Sequence, residues 1–318
     1  MLRRDRSGRG SSASIRSVAG ALLIAAASLL MSAQTATAAD ADAGSDGADF
    51  APVGTLVPPT VAEQKIIDLK LAVARDEERR MRSGMRGASV AACPNIAPAF
   101  AGVKGSTQNR SVTPENLVCL PYYAYLTTYY RHQTKNYFCG PASVQVVANY
   151  AWKMASGSNK YTQQYISDHW TATDANGQTD ISHEKVGLNS ATDGHRPSNF
   201  IYSYYLLSGT QVAAGRDWHN KLRTDVGSYQ MPQVENVAPH DAGATYHLVS
   251  WPSVHDGAGH YVVADGWDTV WDGTYANSQP TTTYDDGSAG YGGGDGHYTD
   301  PARTVFYTVW THHKYILW

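Results

Sequence analysis

An α+β fold follows from three features of the chain. A helical apolar pattern begins at Cys139, an earlier helix is marked by a capping box at Thr60, and short β-branched and aromatic runs fill the chain from Met231 onward. Helices gathered in the first half and strands from Met231 onward indicate a helical part followed by a sheet.

Arg3, Arg4, Arg6, Arg9 and Arg16 precede an apolar stretch from Val18 to Met31, and Ala36-Thr37-Ala38 follows. This reads as a signal peptide over 1–38 and predicts a secreted, extracellular protein. Arg3-Arg4 leaves a twin-arginine route open, and the residues behind the pair favour the general route. The apolar run is short for a membrane span, so no membrane partner is expected. Removing five arginines and Asp5 with the leader moves the formal charge from -3 to about -7, which argues against nucleic acid as a partner. The oligomeric state is not legible.

Residues 39–90 read as an acidic linker and a helical arm. Asp40, Asp42, Asp46 and Asp49 lie among Ala, Gly and Ser with little to bury. Thr60 and Glu63 then form a capping box, and Ala62, Ile66, Leu69 and Val73 share one face of a helix predicted over Val61 to Arg82. Its charged last turns, Arg75 to Arg82, read as a solvated end or as a pro-segment packed across a cleft.

Residues 91–318 form the expected main domain. Three cysteines occur, an odd number that leaves one over in a secreted chain. Cys93 and Cys119 lie in proline-containing, loop-like sequence and are the natural disulfide, worth about 3 to 4 kcal/mol in the chain-entropy model. A bridge from Cys139 to either of them would remove the free thiol.

Cys139 sits just before the helix that carries Ala142, Val146, Val147, Tyr150 and Met154 on one side. Unpaired N–H groups and the positive dipole end of a helix favour thiolate over thiol, and Pro141 fits the first turn. Gln133, six positions earlier, can supply an amide to the same reacting carbonyl and build an oxyanion hole with the Cys139 N–H. The alternative is a buried helix that happens to begin with a small thiol.

Strands are predicted at Val234 to Val237, Tyr246 to Trp251, His260 to Asp265 and Val305 to Trp310. His260 opens a buried-looking strand and can face a helix terminus; His247 and His255 are its competitors. A catalytic imidazole needs a carboxylate or amide to fix its orientation. Asp265, Asp268, Asp285, Asp286, Asp295 and Asp300 are available, and Asp300 is preferred because it ends a glycine-rich loop where the next strand is expected to begin.

The run Gln133 to Pro141, then Gly259-His260-Tyr261-Val262-Val263 with Gly266-Trp267-Asp268, then Tyr298-Thr299-Asp300-Pro301, resembles the bacteriocin-processing peptidases that cleave double-glycine leaders. More closely, it is similar to their secreted stand-alone relatives of the papain-like clan, from about Tyr122 to Trp310. Tyr161-Thr162-Gln163-Gln164 and Gly187-Leu188-Asn189 fit the same pattern. The resemblance implies a papain-like fold, with a helical part carrying the Cys helix and a C-terminal antiparallel sheet carrying His and Asp. It also implies a cysteine peptidase acting on a peptide or protein substrate. By this similarity Cys139 is nucleophile, His260 base and acid, Asp300 orienter and Gln133 oxyanion donor.

The glycine-rich stretch Asp285 to His297 departs from the family pattern and reads as an insertion. No transmembrane or nucleotide-binding region follows, so a part in bacteriocin export is not implied. Other thiol chemistry with the same residue order stays open, as a transglutaminase-like cross-linker or a cell-wall amidase, and so does an inert binding module. No cofactor or metal is expected. Gly292-Gly293-Gly294-Asp295-Gly296 is a single copy of a calcium-like glycine repeat, His183-Glu184 lacks a second zinc histidine, and Asp174-Ala175-Asn176-Gly177 lacks the rest of an EF-hand loop.

Overall fold

The computed structural model describes residues 56–84, 123–173, 179–257, 259–269, 271, 273 and 280–318. The expected signal peptide, most of the acidic linker and the expected Cys93 to Cys119 bridge lie outside the described residues. Within them the chain is mixed α+β around an open antiparallel sheet.

The helical arm forms α1, Val61–Gly84. Its capping box is made as expected, since the Thr60 N–H donates to Glu63 Oε2 at 2.7 Å and the Glu63 N–H donates to Thr60 Oγ1 at 3.2 Å. Three further helices also begin with a side-chain cap. These are α3 (Gln163–Ile166) behind Thr162, α4 (Ile181–Thr192) behind Asp180 and α5 (Gln211–Arg223) behind Thr210. By contrast α2, Cys139–Ala151, begins behind Phe138 with no side-chain cap, and α6, Ala302–Thr311, likewise has none behind Pro301.

The strands are β1 (Tyr123–Tyr125), β2 (Tyr204–Leu206), β3 (Gln233–Val237), β4 (His260–Asp268), β5 (Thr281–Gly287), β6 (Asp295–Pro301) and β7 (Tyr315–Leu317). They form one sheet in the order β2-β7-β3-β4-β5-β6, with β1 paired to the far end of β4. Every pairing is antiparallel.

The central strand β4 alternates between two cores, as the period of a strand covered on both faces requires. Tyr261 and Val263 pack with Val144 and Val147 of α2 and Leu188 of α4. Val262 and Ala264 face Trp218 and Leu222 of α5 and Val305 and Val309 of α6. Each large side chain so buried contributes about 1.5–3 kcal/mol. This double cover fixes α2 against the strand that starts at His260.

Two expectations are corrected. The run Val305 to Trp310 lies in helix α6, because Ala302, Val305, Phe306 and Val309 are all buried at helical spacing. The β-branched composition pointed to a strand, and the burial period overrides it. Tyr246 to Trp251 forms a turn in which the Trp251 N–H donates to Leu248 O at 2.9 Å. The stretch Asp285 to His297, read as an insertion, spans the end of β5, a glycine-rich connection and the start of β6.

Candidate active site

Cys139 is the first residue of α2, a free cysteine and half-buried. The alternative bridge to Cys93 or Cys119 is therefore not formed. The missing side-chain cap leaves the first-turn N–H groups of α2 available to a negative charge. The helix can begin so close to its neighbours only because residue 140 is glycine, since a Cβ there would sit 2.5 Å from Thr179 Oγ1 and 2.8 Å from Glu184 Oε2.

His260, at the start of β4 and 5% exposed, shares a pocket with this thiol. Both residues line one small pocket with Gln133, Ser143, Tyr261, Asp285 and Gly287. Nε2 of His260 lies 3.0 Å from Asp286 Oδ1. With Nε2 held there, Nδ1 is the ring nitrogen left for sulfur. Burial alone would pull the imidazole pKa down. The charge and hydrogen bond of Asp286, with the hydrogen bond and charge of Cys139, outweigh it and raise the pKa to about 10.

Asp286 is itself 2% exposed and fully engaged. Its Oδ1 also accepts from the Ser288 N–H at 3.1 Å, and its Oδ2 accepts from the Trp251 indole N–H at 2.9 Å. Burial pushes its pKa up, but the charge and hydrogen bond of the facing His260, with the side chains of Ser288 and Ser250, hold the carboxyl below its usual range. The Trp251 ring packs 5.0 Å from the His260 ring. The carboxylate that orients the imidazole is thus Asp286.

This corrects the preference for Asp300. Asp300 lies in β6, where its Oδ2 accepts from the Val249 N–H at 2.9 Å and from the Tyr284 hydroxyl at 2.7 Å. It secures the turn that carries Trp251, one layer removed from the imidazole. Asp300 was preferred because a strand was expected to follow it, and the residue that follows Pro301 instead starts a helix. The competitors of His260 also stand apart, with His247 stacked on His240 and His255 against Trp251.

Gln133 is brought to Cys139 as its spacing predicts. Its own N–H donates to Gly287 O at 2.8 Å, which ties the residue to the end of β5. Gly287 must be glycine, because a Cβ there would stand 1.9 Å from Arg131 O. The Gln133 side chain is buried, and its Nε2 donates only to Asn136 O, at a long 3.3 Å. That amide can turn toward an oxyanion at small cost.

One group of possible metal donors exists among the described residues. Asp265, Asp285 and His297 bring ligand atoms within 4.8 Å of one another. His297 Nδ1 already lies 2.9 Å from Asp285 Oδ1 and 3.4 Å from Asp265 Oδ2, while the Thr283 hydroxyl donates to Asp265 Oδ1 at 2.8 Å. These contacts engage both oxygens of Asp265 and Oδ1 of Asp285, and they leave the buried Asp285 Oδ2 without a hydrogen-bond partner among the described residues, on a side chain that lines the pocket. Asp295, from the glycine run, is used within the hairpin, accepting from the Ala289 N–H at 3.0 Å and lying 2.8 Å from His132 Nδ1.

A thiol at a helix start, an imidazole in the same pocket, a carboxylate behind the imidazole and an amide donor are parts that thiol acyl-transfer chemistry could use. By sequence, the chain matches no model of a known family and none of the curated proteins.

Proposed function

We propose that the chain is a secreted cysteine peptidase of papain-like architecture that hydrolyses peptide bonds with Cys139, His260, Asp286 and Gln133. The observation that carries this reading is the approach of the uncapped N-terminus of α2 to a histidine whose far nitrogen is held 3.0 Å from a buried carboxylate. A structural thiol needs no such partners.

In this mechanism the Cys139 sulfur, its proton resting on His260, attacks the substrate carbonyl carbon. The oxygen of the tetrahedral intermediate takes up negative charge beside the Cys139 N–H and the Gln133 amide. The His260 proton passes to the departing amine as the C–N bond breaks, leaving a thioester. Water then attacks the thioester while His260 takes its proton, and the acid leaves as sulfur regains its starting state. Asp286 keeps the ring oriented and balances the imidazolium throughout.

The decisive test is turnover of a mixed peptide library by wild type and Cys139→Ala, read by mass spectrometry with and without an added primary amine. Cleaved peptides from wild type alone support the peptidase. Amine adducts in place of acids would instead make the protein a transferase, and cleavage that persists in Cys139→Ala would end the thiol mechanism.

A further inference from the structure

Behind the Cys139 turn lies a carboxyl group that the mechanism does not use. Glu184 of α4 is wholly buried and packs against the first turn of α2 at Gly140 and Ser143. It forms no ion pair among the described residues, and its Oε2 has no hydrogen-bond partner among them. The titratable groups that face it are Cys139 on α2, Asp180 at the start of its own helix and Tyr261 on β4. None is a cation.

The protons can be counted. Ser143 Oγ lies 2.7 Å from Gly140 O and 2.5 Å from Glu184 Oε1, and a hydroxyl has one hydrogen. Gly140 O can only accept. Both short contacts are hydrogen bonds if the carboxyl carries a proton and donates it to Ser143, whose own hydrogen then goes to Gly140 O. An ionised Glu184 would be a buried charge with one hydrogen bond and no counter-ion, an arrangement that proteins avoid by keeping the group neutral.

We propose that Glu184 is a positioning residue for Cys139, an uncharged carboxylic acid that braces the first turn of α2 through Ser143 and leaves the positive end of that helix to the thiolate alone. The role rests on the reading of Cys139 as nucleophile. Burial acts in the same direction, pushing the Glu184 carboxyl well above its usual range against the Ser143 hydrogen bond, with the charges of Cys139 and Asp180 adding to the rise.

The test follows Cys139 alkylation by iodoacetamide against pH, a readout independent of any substrate, together with infrared spectra at neutral pH. Glu184→Gln keeps a donor to Ser143 and no charge, so its rate profile should overlay that of wild type. The wild-type-minus-Gln infrared difference should contain the carbonyl band of a protonated carboxyl. Glu184→Ala removes the brace and should slow alkylation about tenfold at neutral pH, with the Gln variant as the rescue; Ser143→Ala provides the same comparison if the Ala variant does not fold. A profile displaced by about one unit or more toward low pH in Glu184→Gln would mean that wild type carries a charge there, and would overturn the proposal. An absent infrared band would do so too. A wild-type thiol no more reactive than a small free thiol would instead sink the nucleophile reading, while the band still reported the Glu184 proton.

Discussion

Asp300 and Asp286 divide the work of one region of the molecule. The Asp300 carboxylate holds the Val249 N–H, two residues before Trp251, and the Trp251 indole holds the Asp286 carboxylate that faces His260. Orientation of the imidazole is therefore built in two layers across β5 and β6.

The two aspartates should separate on substitution. Asp286→Ala removes the partner of a buried imidazole and is expected to lower kcat/KM by about 10²–10⁴-fold, the range for disabling a general acid–base. Asp300→Asn leaves the imidazole partner in place and should cost far less. Peptide hydrolysis by both variants, with circular dichroism to check the fold, measures the difference.

Gln133→Ala should lower kcat by about 10²–10³-fold with little change in stability, the cost of losing one oxyanion donor. Gly287→Ala should act on the same function from the backbone. The new methyl meets Arg131 O and forces the 131–133 segment off β5, at a cost of about 1–3 kcal/mol. Thermal melts and single-turnover rates for the two variants distinguish a lost donor from a displaced one.

The His260 and Asp286 pair sets a pH window for stability. His260 has a folded pKa raised to about 10, so its contribution is complete below the unfolded value near 6.5 and is lost as pH rises through 10. Asp286 is depressed, so its contribution is present above the unfolded carboxylate value and is lost as pH falls through the lower folded one. Tm should decline between pH 7 and pH 10 in wild type and decline less in Asp286→Asn. Imidazole NMR should also show the His260 titration moving down in Cys139→Ala, because sulfur contributes to the rise.

The helical arm is held by a buried ion pair. Lys70 of α1 lies 3.0 Å from Asp225 Oδ1, with the Phe200 and Trp318 rings 3.9 and 4.3 Å from its Nζ. Burial pulls the Lys70 pKa down to about 8 against the attraction of Asp225. Lys70→Met should destabilise the fold by about 3–5 kcal/mol by stranding the carboxylate, and Asp225→Asn should restore part of that loss. Urea unfolding of the single and double variants tests the pair.

Legibility in the sequence followed local signals. The Thr60 and Glu63 box, the Cys139 helix start and the Gln133 spacing are short-range patterns, and each has its counterpart in the fold. His260 stood at the head of an apolar strand and is found there. Asp286 was one of six candidates that spacing could not rank, because its claim depends on β5. That strand reads Thr-Thr-Thr-Tyr-Asp-Asp-Gly, and its buried aspartates disguise it as a loop. In α6 the 3.6-residue burial of Ala302, Val305, Phe306 and Val309 was present in the chain and was masked by β-branched composition. Glu184 stood out only as half of an incomplete zinc pair, since its contact is with one serine hydroxyl on another helix.

The alternation of β4 between two cores bears on how this protein would fail. Sulfur and imidazole ride on separate elements that pack together through side chains such as Tyr261, Val263, Val144 and Val147, so a partial separation of α2 from the sheet would silence the chemistry while most of the molecule stayed folded. Turnover should therefore fade on warming before circular dichroism changes, making the reaction an early gauge of local opening.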